Sequence, residues 1–124
     1  MLDTNALSAV ADGNPAVREA ISKEIGPYLP VIVVGEYRYG VMLSRRAAQR
    51  LAWLAQAIEQ WGVLDVTQET AVHYSNIRLF LKQEARPIPV NDMWIAALAR
   101  QHSMQILTND RHFDGIPGVD VIRW

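Results

Sequence analysis

The sequence contains no cysteine. That absence excludes disulfides, thiolate zinc sites and cysteine nucleophiles, and it is in keeping with a reducing cytoplasm, the expected location. No stretch approaches the roughly 20 apolar residues of a membrane-spanning helix. Asp3 interrupts any early apolar run of the kind that opens a signal peptide, so no membrane association is expected. Neither sign of charge predominates: 12 basic and 13 acidic residues give a formal net charge of -1. Bulk cationic attraction to a polyanion is therefore excluded, and any nucleic-acid contact needs a local basic patch or a metal. Internal repeats, low-complexity tracts and linkers are also lacking.

What remains is ordinary globular composition, 50% hydrophobic and 20% charged. A length of 124 residues suits one domain, 1–124, able to bury about two-thirds of its unfolded surface. Short apolar runs alternate with longer helical stretches. Met1-Leu2 reads as the end of a strand. Residues 5–11 and 15–25 read as helices, with Asn14 capping the second, Pro15 in its first turn and Gly26-Pro27 ending it. The β-branched run Val31-Ile32-Val33-Val34 predicts a buried strand over 28–34 that passes into a helix at Gly35. Helices follow over 35–43 and 46–61, the latter with Ser44 as the expected cap and Gly62 at its end. Residues 63–66 read as a strand, and Thr67 caps a helix running to about Ala85. Two prolines make 86–90 a loop. Asn91 is then expected to cap a helix to about His102, before strands at 105–108 and 119–122. This alternation predicts a three-layer α/β/α sandwich with a mainly parallel sheet of about five strands. The opening strand is short beside a mean of about 5–6 residues, so either it is clipped or the native start lies upstream of Met1.

Four acids occupy comparable places. Asp3, Glu36 and Asp110 each lie at or just past the C-terminal end of an expected strand, and Asp92 opens a helix. In a βαβ unit a helix N-terminus lies at the same sheet edge as the strand C-termini, where ligands bind in open α/β sheets. Gathered carboxylates repel, and a divalent cation relieves the repulsion. Oxygen ligands favour Mg²⁺ or Mn²⁺ over zinc, and such an ion activates water and stabilises charge on a phosphate. Each acid also has an ordinary reading: a helix cap for Asp3, a favourable first-turn charge for Glu36 and Asp92, an Asx turn for Asp110.

Taken in order, Asp3-Thr4-Asn5, Glu36, Asn91-Asp92 with Trp94-Ile95-Ala96-Ala97, and Leu107-Thr108-Asn109-Asp110 with Phe113 resemble the PIN-domain family. The closing stretch 108–118 is similar to the tail of toxin ribonucleases of the VapC kind. The resemblance spans essentially the whole chain. It implies the parallel α/β/α fold and Mg²⁺- or Mn²⁺-dependent endoribonuclease activity on tRNA or other structured RNA. The protein would then be the toxin of a toxin–antitoxin pair, bound by an antitoxin and dimeric. It implies that Asp3, Glu36, Asp92 and Asp110 hold one or two ions. Thr4, Asn5 and Thr108 would support them by hydrogen bonds. Many relatives carry another acid two residues after the Asp110 position; here that residue is His112, with Asp114 nearby as a substitute ligand.

Arg38 and Arg111, close to the acids in sequence, are candidates for RNA phosphate contacts. The clusters Arg45, Arg46 and Arg50, and Arg78, Lys82 and Arg86, read first as solvated faces. Tyr37, Tyr39, Trp53, Trp61 and Trp94 read as core or interface residues. By the resemblance, Tyr37, Tyr39 and Trp53 line an antitoxin groove. His73 and His102 show no zinc spacing. Two other classes compete. A PIN-like module that only binds RNA or protein needs a damaged acidic site. A phosphoacceptor domain needs a late lysine and an acceptor aspartate after its third strand, whereas lysine occurs here only at 23 and 82.

Overall fold

Helices carry most of this chain, and the sheet between them is narrow. The computed structural model describes residues 1–22 and 27–124. Its strands are β1 (Leu29–Pro30), β2 (Val63–Leu64), β3 (Ile106–Leu107) and β4 (Val121–Ile122). β1 pairs in parallel with β2, and β3 with β4. Leu2 joins the two pairs. It bridges Leu107 in parallel and donates its N–H to Tyr28 O at 3.0 Å, just before β1. The resulting order, β2, β1, Leu2, β3, β4, reverses direction at Leu2. Reversals of this kind place binding crevices in open α/β sheets.

The helices are α1 (Thr4–Ala11), α2 (Pro15–Ser22), α3 (Val31–Met42), α4 (Ala47–Trp61), α5 (Gln68–Gln83) and α6 (Val90–His102). Helices α1 to α4 pack in succession as one group, while α5 and α6 form an extensive pair of their own. This is the α/β/α layering expected. Helix α6 lies deepest, with Met93 and the run Ile95 to Ala99 buried. Tyr74 of α5 stacks on Trp94 of α6 with centroids 4.0 Å apart. Tyr37, Trp53 and Trp61 form a second aromatic contact line between α3 and α4.

The expected strand over 28–34 is wrong beyond Pro30. Val31 to Val34 form the first turn of α3, which begins four residues before Gly35. Pro30 stands at the N-cap position, with φ -56° and ψ 137°, and the chain turns into helix directly after it. In a first turn, β-branched side chains meet no preceding turn, so their usual helical penalty is weak. Tertiary burial then decides, because Val33, Tyr37 and Val41 form a buried stripe at four-residue spacing.

Two caps are also corrected. Ser44 does not cap α4: its Oγ accepts the Arg46 N–H at 3.2 Å, and the helix starts at Ala47. Asn91 lies inside α6, whose N-cap position is Pro89. Thr67 caps α5 as expected, in a reciprocal box with Thr70. Strands end one or two residues inside the expected limits, and α5 ends at Gln83. The expected end of α2 at residue 25 and the stop at Gly26 fall outside the described residues.

Gly62 closes α4 with φ 77° and ψ 162°, a conformation nearly restricted to glycine. Its N–H returns to Ile58 O at 2.9 Å, and its carbonyl accepts the Leu29 N–H at 3.1 Å. One residue therefore ends a helix and starts the β1–β2 pairing. Gly62→Ala should destabilise the fold by about 1–3 kcal/mol, as measured by urea unfolding. The added methyl meets only ordinary contact with the Tyr28 ring at 3.7 Å, so the cost is conformational.

Candidate metal centre

Asp3 stands where Leu2 leaves the sheet and α1 begins. It is buried, with 4% exposure, yet every carboxylate oxygen has a donor. Oδ1 accepts the Thr4 N–H at 2.6 Å. Oδ2 accepts the Asn5 amide and the Thr108 hydroxyl, both at 2.8 Å. Asp3 is thus the N-cap of α1 and a member of the acidic group at once. Burial still raises its pKa, opposed by the Thr108 and Thr4 hydrogen bonds and assisted by the charges of Asp110 and Glu36.

Thr108 lies just past β3 and is fully buried. Its hydroxyl has one proton and two lone pairs, and all three are used. It donates to Asp3 Oδ2, accepts the Asn5 amide at 3.2 Å and accepts the Asp110 N–H at 2.9 Å. Asp110 then caps a short 3₁₀ turn, Arg111–Phe113, its Oδ1 accepting the His112 N–H at 2.9 Å.

Glu36 reaches the group from the second turn of α3, not from a strand end. Its Oε2 accepts the Thr4 hydroxyl, and its Oε1 accepts the Asn91 amide at 2.7 Å. This second contact explains why Asn91 is no cap: its side chain is committed across 55 residues of sequence to a carboxylate. Asp92 follows in the first turn of α6, with its side chain 14% exposed. Its pKa is pushed up to about 6, first by desolvation, then by the charges of Asp3 and Asp110, with His112 pulling it down. The four acids therefore share one rim, each close enough to feel or touch another of the set.

His112 is the residue that sequence reading placed beside the site without assigning it a role. Its Nδ1 lies 2.9 Å from Asp92 Oδ2 and 3.1 Å from Asp110 Oδ1. This nitrogen is shut off from solvent and makes no aligned hydrogen bond. Asp92, Asp110 and His112 offer ligand atoms that all lie within 4.8 Å of one another. Asp114 is not brought to this group; it is exposed and paired with Arg123.

Two arginines that sequence reasoning did not connect with the site hold the segment after β3. Arg123 Nη1 donates to Thr108 O at 2.9 Å and Asp110 O at 2.8 Å. Arg86 donates to His112 O at 3.0 Å and to Asp114 O. Arg86 thus leaves the surface stripe in which its spacing had placed it. Arg38 and Arg111 are exposed, and their side chains make no hydrogen bond or ion pair among the described residues.

A narrow parallel α/β/α sandwich carrying converging carboxylates at its topological reversal defines a metal-dependent phosphodiesterase class. The PIN-domain family model matches residues 1–119. Ribonuclease VapC5 of Mycobacterium tuberculosis is 30% identical over 99% of this chain and 93% of its own length. The tRNA(fMet)-specific endonuclease VapC of Shigella flexneri is 31% identical, covering all of this chain and 96% of that protein. In solved structures, VapBC2 of Rickettsia felis bound to a promoter DNA fragment superposes with a TM-score of 0.89 at 26% identity. It covers all of this chain and 97% of the matched one. The chain belongs to the PIN-domain family and, within it, to the VapC group.

Two expectations follow from this geometry. Thr108→Val keeps the shape but strips three hydrogen bonds, and should cost about 1–3 kcal/mol by urea unfolding. The Asp3 carboxyl should titrate higher still, as read by NMR. The second concerns pH. A carboxyl whose folded-state pKa is raised binds its proton more readily folded than unfolded. Metal-free protein should therefore gain stability as pH falls through about 6. Denaturation in chelator at pH 7.5 and pH 5 checks this, and Asp92→Asn should flatten the difference.

Proposed function

We propose that this VapC-type endoribonuclease hydrolyses RNA phosphodiester bonds with a divalent cation, Mg²⁺ or Mn²⁺, held through the oxygens of Asp3, Glu36, Asp92 and Asp110. The observation that carries the reading is their convergence. Burial and mutual repulsion hold Asp92 up to about 6, a strain that a cation among the carboxylates removes. The donor chemistry suits a hard cation, because carboxylate oxygens predominate and thiolates are absent from the chain. Bound there, the ion would neutralise charge on a phosphate and lower the pKa of a water.

The chain's own residues do the rest. Thr4, Asn5 and Thr108 fix both Asp3 oxygens, and Thr4 and Asn91 fix both Glu36 oxygens, so little reorganisation is needed when charge arrives. Asp92, in the first turn of α6, brings its carboxylate to the same rim, where it can share in holding the cation and orienting the attacking water. Arg38 and Arg111, both exposed and without an ion pair among the described residues, are candidates to meet RNA phosphates.

The relatives named for tRNA(fMet) cleavage support a structured, tRNA-like substrate. The toxin–antitoxin complexes among the structural neighbours support an antitoxin partner. A cavity lined by Thr4, Ser8, Glu36, Tyr37, Gly40 and Arg50 opens beside the acids and suits a segment that blocks them. Tyr37, which lines this cavity, packs against Trp53 of α4, whereas Tyr39 is exposed in the last turn of α3. A homodimer and a cytoplasmic location belong to the same reading. No helix among the described residues is long and apolar enough to cross a membrane.

Purified protein incubated with total tRNA and a structured RNA panel, in Mg²⁺, Mn²⁺ or EDTA, tests the proposal. Wild type should cut only with metal, and Asp92→Asn should lose about a hundredfold or more of the rate. A folded wild type that binds no metal and cuts no RNA would favour a module that only binds RNA or protein.

A further inference from the structure

We infer that His112 Nδ1 is itself a ligand to the cation, which makes this a mixed nitrogen–oxygen centre that prefers Mn²⁺ and later first-row ions over Mg²⁺. The inference rests on the metal reading above and extends it to a residue type that the acidic pattern does not contain. Its starting point is the convergence of one ring nitrogen on two carboxylates. Nδ1 is hidden from solvent and lies 2.9 Å from Asp92 Oδ2 and 3.1 Å from Asp110 Oδ1. The Nδ1 edge of the imidazole is thus turned into the acidic group and not toward water.

The spacing of those atoms has a simple meaning. Ligands in adjacent positions around a six-coordinate ion with bonds of about 2.1 Å stand about 3.0 Å apart. The two Nδ1–oxygen separations fall on either side of that value. One ion can therefore reach Nδ1, Asp92 and Asp110 together, all of whose ligand atoms lie within 4.8 Å.

The backbone supports the same orientation. The His112 N–H is held by Asp110 Oδ1 and its carbonyl by Arg86, so the residue is fixed at both ends of its peptide. Phe113, fully buried, anchors the next position. The imidazole is thus presented to the carboxylates from a fastened turn. Asp114, the alternative fifth ligand by sequence, is engaged by Arg123.

An imidazole in place of a carboxylate changes which ion is held. Mg²⁺ favours oxygen donors, whereas nitrogen donors strengthen binding along the series from Mn²⁺ to later ions. The replacement also removes one negative charge from the group, which lowers its pull on a hard cation that binds mainly through charge.

Untagged protein titrated with Mg²⁺ and with Mn²⁺, beside electron spin-echo spectroscopy of the Mn²⁺ complex, tests the inference without reference to cleavage. Wild type should show coupling to a histidine nitrogen, and the frequencies should change when the protein carries ¹⁵N-histidine. His112→Gln should abolish the coupling and lower the Mn²⁺-to-Mg²⁺ affinity ratio by about tenfold. His112→Asp should move preference toward Mg²⁺. If His112→Gln fails to fold, a His73→Gln/His102→Gln protein retains only the histidine in question and should keep the signal. Tight Mn²⁺ binding with no nitrogen coupling would overturn the inference and leave the metal reading intact, with His112 an ion-pair partner only. Absence of binding by either ion would overturn both.

Discussion

Four carboxylates brought to one rim of a small sheet repel one another, and much of this molecule is arranged around that repulsion. Asp3 is buried and Asp92 largely so, and both have raised pKa values from desolvation and neighbouring charge. Like charges in a partly dry site cannot be held without donors, cations or protons. The structure supplies donors first. Asp3 and Glu36 each have both oxygens occupied by neutral hydrogen-bond donors: Thr4 serves both, Asn5 and Thr108 serve Asp3, and Asn91 serves Glu36. These donors come from α1, α6 and the segment after β3, so satisfying the acids also fastens separate parts of the chain together.

The narrowness of the sheet follows from the same economy of parts. Two-residue strands contribute few ladder bonds, yet Leu2 leads directly to α1 and β1 directly to α3, so these pairings fix where the two helices begin. Leu2 is the central case. It bonds on both flanks, to Tyr28 and through its neighbours to Leu107, and the next residue is Asp3. The apolar weight lies in the helices, above all in α6, buried along most of its length. A site built at helix starts needs the starts to be placed accurately, and short parallel pairings do that without long strands.

How much of this was legible in the sequence depended on whether the deciding contact was local. Asp3, Asp92 and Asp110 stood beside apolar runs or helix starts, and those boundaries are written in nearby residues. Glu36 was found as a helix residue, but the start of its helix was misplaced: it lies in the second turn of α3, not in a first turn that opens at Gly35. Four consecutive β-branched residues suit a strand or the first turn of a helix, and the choice came from Pro30 and the Val33–Tyr37–Val41 stripe. Asn91 has the side chain of a cap, and its capture by Glu36 depends on a contact 55 residues away. Arg86 and Arg123 were illegible for the same reason. An arginine spaced four residues from another cation looks like surface charge until its partner carbonyls are known.

Those two arginines bear on how the site keeps its charge available. Arg86 and Arg123 bring cations to the segment 108–114, yet they contact the acidic group through backbone carbonyls of Thr108, Asp110 and His112. The one carboxylate they engage, Asp114, stands apart from the others. Had either guanidinium paired with Asp92 or Asp110, it would have relieved the repulsion and occupied the oxygens a metal needs. Binding carbonyls instead fastens the turn and leaves those oxygens facing His112 and one another. The repulsion is therefore kept where an incoming divalent cation can relieve it, and the turn that carries it is held by bonds that do not compete for the same atoms.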